Sequence, residues 1–165
     1  MIIRQMKAIL KTNSMGVLAT SAGNIPHCSL MAYITNADGD RLFFVTLKQT
    51  RKYRAICENS SVSFLVDTRM SHQDRHEIQA LTVSGKCAPV ADLNDTSPLL
   101  AEMAEQHPHL IEIVHHPDVA ILELRIESMQ LLNGPVEQHI HKVGSSTDST
   151  QSPDSAVAKT KEAHP

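Results

Sequence analysis

Arg41–Asp67 reads RLFFVTLKQTRKYRAICENSSVSFLVD, and this stretch decides the fold. Leu42–Thr46 is rich in aromatic and β-branched residues, which predicts a strand. Thr50 carries a hydroxyl suited to capping free helix N–H groups, and the helix it starts is expected over Arg51 to about Cys57. Asn59 and Ser60 close that helix, and Val62, Phe64 and Val66 then alternate with Ser63, Leu65 and Asp67 as a second strand. The charge order is unusual. Lys48, Arg51, Lys52 and Arg54 crowd the helix start, while Glu58 sits at its end. The helix dipole favours the opposite arrangement by roughly 0.3–1 kcal/mol per charge. Cations placed there gain if an anion binds between them. Free N–H groups, a Thr hydroxyl and paired Arg and Lys side chains together suit a phosphate. A solvated basic helix face accounts for the same residues, and on this stretch alone both readings stand.

Before this stretch, residues 2–12 place Ile2, Ile3, Met6, Ile9 and Leu10 near helical spacing, predicting a short amphipathic helix. Gly16–Thr20 reads as a strand and Ser21–Asn24 as a turn. His27–Thr35 alternates as a strand, with Cys28, Leu30, Ala32 and Ile34 expected on the core face and His27, Ser29, Met31 and Tyr33 on the other. Asp38-Gly39 marks a second turn. After Asp67, a polar loop with Arg69, His72 and His76 leads to a strand over Ile78–Ala88, in which Gly85 marks a bulge or a close backbone approach. Ser97-Pro98 starts a helix that Pro108 ends or kinks. Val119–Glu127 is a strand, and Met129–Leu132 with Val136–Val143 reads as a further strand pair around Asn133-Gly134-Pro135. About seven strands at short spacing predict a mainly β protein, a closed antiparallel barrel with peripheral helices. The domain is expected to span 1–143, and 144–165, polar and poor in large apolar residues, a flexible tail.

Composition narrows the function. A net charge of −3 and a pI near 6.3 argue against general nucleic-acid binding, so the basic cluster is local. Three cysteines, Cys28, Cys57 and Cys87, show no paired spacing and imply reduced thiols in a cytoplasmic protein. The N-terminal segment is broken by Arg4 and Lys7, unlike a signal peptide, and no stretch reaches the length of a membrane span. Among the histidines, His139 and His141 would share one strand face and His115-His116 would point apart; no set has zinc-site spacing, so no metal is expected. No G-x-S-x-G elbow is present, and Cys28, on an expected core face, reads as a small hydrophobe.

FFVTLKQTRKYRAICENSSVSFLVD resembles the pyridoxamine 5′-phosphate oxidase-like family of FMN-binding split barrels, with Greek-key-like antiparallel strands. GNIPHCSLMAYITNADGDRLFF and ALTVSGKCAPV are similar to two further segments of that family. The resemblance covers roughly Met1–Val143. It implies that Val45, Thr46, Thr50, Arg51 and Lys52 hold the FMN phosphate end, and that Ser29, Leu30, Met31 and Ala32 contact the flavin. Gln79 is the rough counterpart of the family's strand glutamine, one position out of register. The resemblance also implies a homodimer with flavin at its seam and a small-molecule redox substrate. The true oxidases complete their substrate site with a C-terminal Trp and an Arg-x-His segment. This chain has no Trp, and LLNGPVEQHIHKV offers no such arginine. The expectation is therefore a small FMN-dependent oxidoreductase that does not oxidise vitamin B6, with no catalytic acid or base assignable. The alternative is a non-catalytic flavin or haem binder, with His139 and His141 as haem candidates; a deazaflavin in place of FMN is the remaining cofactor choice.

Overall fold

The computed structural model describes residues 1–71, 74, 77–91, 97–134 and 137–144, and the backbone of 149–151. The chain begins with helix α1, Ile2–Thr12, followed by strands β1, Met15–Ala22, β2, Ile25–Ala32, β3, Ile34–Thr35, and β4, Arg41–Leu47. Helix α2, Arg51–Glu58, leads to β5, Ser61–Asp67, and β6, Gln79–Pro89. Helices α3, Pro98–Gln106, and α4, Ile111–Val114, precede β7, Val119–Asn133, β8, Glu137–Lys142, and β9, Ser149–Gln151. All pairings among the described residues are antiparallel. The main path runs β2-β1-β5-β6-β7-β4-β3, with β8 and β9 branching from β7. The sheet curls into a split barrel: β2 and β3 end the path and share no ladder, although one follows the other in the chain.

The apolar run of β4 shows why the sheet can hold helices outside it. Leu42 and Phe44 enter the main core inside the curl, with Tyr33, Phe64, Leu18, Leu81 and Leu122, closed at one end by Met6, Ile9 and Leu10 of α1. Val45 faces the other way, into a second core formed with Ile121, Leu100, Met103 and Val114. A strand buried on both faces reads as continuous hydrophobicity, as LFFV does.

Two expectations are corrected. On β2, Leu30 is 69% exposed and Cys28 is exposed, while Met31 is buried. Cross-strand register explains the reversal: Met31 pairs with Gly16 and Ser29 with Leu18, the inward residues of β1. The strand also breaks at Tyr33, whose phenol donates to the Leu10 carbonyl at 2.8 Å and whose own carbonyl bonds the buried His107 Nε2 at 2.9 Å. Val119–Asn133 is one long strand, not two. Its register shift lies at Ser84/Gly85, where an added Cβ would collide with the Arg125 carbonyl oxygen, so the bulge foreseen at Gly85 is the point where β6 and β7 stay paired by slipping. Ser149–Gln151 pairs with β8; 145–148 and 152–165, most of the segment expected to be a flexible tail, lie outside the described residues.

Candidate functional site

The site is built where the barrel splits. β3 pairs with β4 through Ile34↔Phe43 and Thr35↔Leu42. Extending that register would place Ala32 beside Val45 and Leu30 beside Leu47, but the ladder stops before them. Ser29–Ala32 and Val45–Thr46 therefore border an opening between two strands that are close neighbours without being paired. The N-terminus of α2 stands at the end of β4, so the sequence order strand, turn, helix delivers the cations to this opening. Of the expected residues, Met31, Ala32, Val45 and Thr46 are buried, Ser29, Thr50 and Lys52 half-buried, and Leu30 and Arg51 exposed.

Two threonines lock the helix start. Thr50 Oγ1 donates to the Leu47 carbonyl at 2.8 Å and accepts from Tyr53 N–H at 3.4 Å. Thr46 Oγ1 lies 3.0 Å from it and, with the Thr50 proton already committed, is the donor of that pair. Both hydroxyl protons point inward. The donors left for an anion are the Arg51 and Lys52 side chains and their backbone N–H groups, which among the described residues have no intramolecular acceptor. No carboxylate among the described residues pairs with Arg51, Lys52 or Lys48. Burial lowers the Lys52 pKa below the ordinary lysine value. A half-buried ammonium without a counter-ion loses hydration and gains nothing in return, so the site is poised for an external anion.

The structure adds residues that the sequence reading missed. A cleft of about 160 Å³ lies between the β1–β2 hairpin and α2, lined by Ala22, Ile25, His27, Arg51, Arg54, Ala55 and Glu58. The helical residues follow spacings of three, four and seven, one face of α2. That signal was visible in the sequence; their facing His27 across a hairpin was not. Gln79 is not brought to the opening within one chain. Its amide donates to Asn133 Oδ1 at 2.7 Å, and β6 meets β7 there at the end opposite to Ala120, the partner of Thr46.

The remaining candidates recede. Arg69 pairs with Asp67 at 2.8 Å; His72 and His76 lie outside the described residues. His139 and His141 stand two apart on β8, and His139 Nε2 lies 3.0 Å from Glu137 Oε1. Among the described residues, no group of His, Cys, Asp and Glu side chains converges to hold a metal. Cys87 is buried, and its thiol pKa is pushed up to about 12, first by burial and then by the charge of Glu123. Among the described residues, no helix is long and apolar enough to cross a membrane.

Solved structures share the fold. A heme binding protein from Mycobacterium smegmatis superposes with a TM-score of 0.72 at 14% identity, over 84% of this chain and 56% of that one. This chain thus spans little more than half of that protein. A FAD-binding protein from Mesorhizobium loti gives 0.66 at 16% identity, over 85% and 94% of the two chains. PhzG from Burkholderia lata, solved with tetrahydrophenazine-1-carboxylic acid, gives 0.62 at 15%, over 92% and 91%. At these identities the likeness is one of fold. No curated protein sequence matches the chain. The decisive match is at family level: residues 2–133 fit the pyridoxamine 5′-phosphate oxidase family, and these residues hold both the split barrel and the cationic helix start, so the chain belongs to that family.

Proposed function

We propose that this protein binds FMN in the opening between β2 and β4 and acts as a small oxidoreductase of this family on a substrate other than pyridoxamine phosphate. The observation that carries the reading is the uncompensated pair Arg51 and Lys52 at a helix start where their own two N–H groups are free. This donor set fits a phosphate: two cationic side chains beside aligned N–H groups, with no competing acid in the first turn. The exposed Leu30 side chain and the backbone of Ser29–Ala32 offer a border for a flat ring. When bound, the flavin supplies the redox chemistry. The chain's own residues anchor its phosphate and shield one side of its ring from water.

The reading includes a homodimer. The outward residues Leu30, Val17, Leu65, Thr82, Gln130 and Ile140 are cross-strand partners in one row across six strands, and none is charged. Leu30 is 69% and Leu65 39% exposed in the single chain. A broad face depleted of charge resembles the core of a subunit interface. Leu30 belongs both to this row and to the border of the opening, which supports a seam that completes the site.

An absorbance spectrum of the purified protein tests the cofactor. Flavin bands with FMN released on denaturation are the expected result. A Soret band would replace the reading with a haem binder, and a flavin-loaded protein inert to reduced nicotinamide and to other donors would make it a carrier. Cytoplasmic residence is part of the proposal, and fractionation of the source cells checks it.

A further inference from the structure

Both ends of α2 carry the charge that its dipole disfavours. The start is explained by an anion; Glu58 at the other end is not. Its Oε1 accepts the Gly23 N–H at 3.2 Å, at the tip of the β1–β2 hairpin. Gly23 and Asn24 have φ of 53° and 61°, the left-handed pair of a tight two-residue turn, so the tip projects a fixed N–H. Glu58 thereby ties the hairpin to the helix and forms the outer wall of the cleft that holds His27, Arg51 and Arg54.

Arg54 stands four residues before Glu58, yet it does not neutralise it. Its Nη2 donates instead to the Gln49 carbonyl at 3.0 Å, back toward the helix start. Arginine N-terminal to glutamate is also the weaker order for such a pair. The cleft is therefore polarised, with cations at one end and a carboxylate at the other. Arg51 and Glu58 are seven residues apart, about 10 Å along a helix. The volume of about 160 Å³ equals roughly five waters' share of liquid. That is room for one phosphate group, well short of a whole ligand site.

We infer that Glu58 is a specificity-determining residue: it closes the cleft beside Arg51 so that a phosphomonoester held at the helix start is accepted while a second, linked phosphate entering the cleft is refused. The inference rests on the flavin reading for the identity of the ligand, and on the cleft alone for its charge selection. A diphosphate entering at Arg51 must send its second charge toward the carboxylate or out to solvent, away from the cations.

The test uses the full chain, wild type and Glu58→Gln, titrated with FMN, FAD and riboflavin by flavin fluorescence. Gln keeps an oxygen for the Gly23 N–H and removes the charge. Wild type should prefer FMN to FAD by about tenfold or more, as expected for one unfavourable charge contact. Glu58→Gln should tighten FAD and narrow that ratio several-fold, leaving riboflavin unchanged. Glu58→Lys should narrow it further, an ordering that a merely structural role would not produce. Thermal melts of each variant establish that it is folded. Equal binding of FMN and FAD by wild type, or an unchanged ratio in both variants, overturns the inference and leaves the flavin reading intact. If no flavin binds, the flavin reading fails, and phosphorus NMR with inorganic phosphate and pyrophosphate decides the cleft. A phosphate preference that Glu58→Gln removes upholds the inference; no preference, or no binding, overturns it.

Discussion

Arg51 and Lys52 decide whether the helix start is a binding site or a solvated face. Charge-assisted hydrogen bonds contribute roughly 1.5–3 kcal/mol each, so Arg51→Ala or Lys52→Ala should weaken FMN at least about tenfold. Riboflavin, without the phosphate, should lose much less, and the apo protein should keep or slightly raise its stability, because each change removes a cation from the wrong end of a dipole. Calorimetric titration of both ligands reads this out; equal losses would mean that the residues shape the pocket without meeting a phosphate. Lys52 also sets a pH dependence. Burial lowers its folded-state pKa, so the folded apo protein sheds this proton before the unfolded chain does. Holding the charge thus costs stability at neutral pH, and the cost fades as pH rises through the depressed value. Anion binding has the opposite sign, since it needs the ammonium. FMN affinity should therefore fall as pH rises toward the ordinary lysine range of roughly 10.4, setting in below that range because the folded-state value is lowered, and more than riboflavin affinity does. Lys52→Arg, charged throughout, should flatten that loss.

The elements around the site hold it by register. β6 and β7 stay paired across the slip at Ser84/Gly85, and the Arg125 carbonyl occupies the space a side chain at Gly85 would need. Gly85→Ala must push two backbones apart. A loss of about 1–3 kcal/mol is expected, seen as a lower denaturation midpoint with an unchanged slope. A stability equal to wild type would show that the strands separate easily there. Tyr33 does a comparable job at the split. It ends β2, starts the chain toward β3, and links α1 to the turn after α3 through its hydroxyl and carbonyl.

At the scale of the whole molecule, the uncharged row from Leu30 to Ile140 calls for a partner. A two-fold interface uses the same patch on both copies, so one charge placed in it appears twice. If the proposed dimer forms, Leu30→Glu should convert it to monomer in analytical ultracentrifugation at micromolar concentration and weaken flavin binding in the same step. A wild-type protein that is monomeric yet holds flavin would show that one chain completes the site.

The sequence by itself determined the local order of this protein. LFFVT as a strand, Thr50 as a cap, a helix from Arg51 to about Cys57 and a bulge or close approach at Gly85 all follow from neighbours within a few residues, where propensity, capping and periodicity act. The reversed charges of α2 were legible for the same reason, and they supplied the anion reading before any fold was known. What the tertiary structure decided is everything that needs a partner strand. Both faces of β2 carry apolar residues, so alternation alone did not say whether Leu30 or Met31 turns inward; pairing with β1 did. The union of Val119–Glu127 with Met129–Leu132 likewise depended on β6 slipping beside them. His27 entered the cleft because a hairpin folds back over a helix more than twenty residues further along the chain. Contacts of that kind are set by how elements pack, and no local pattern records them.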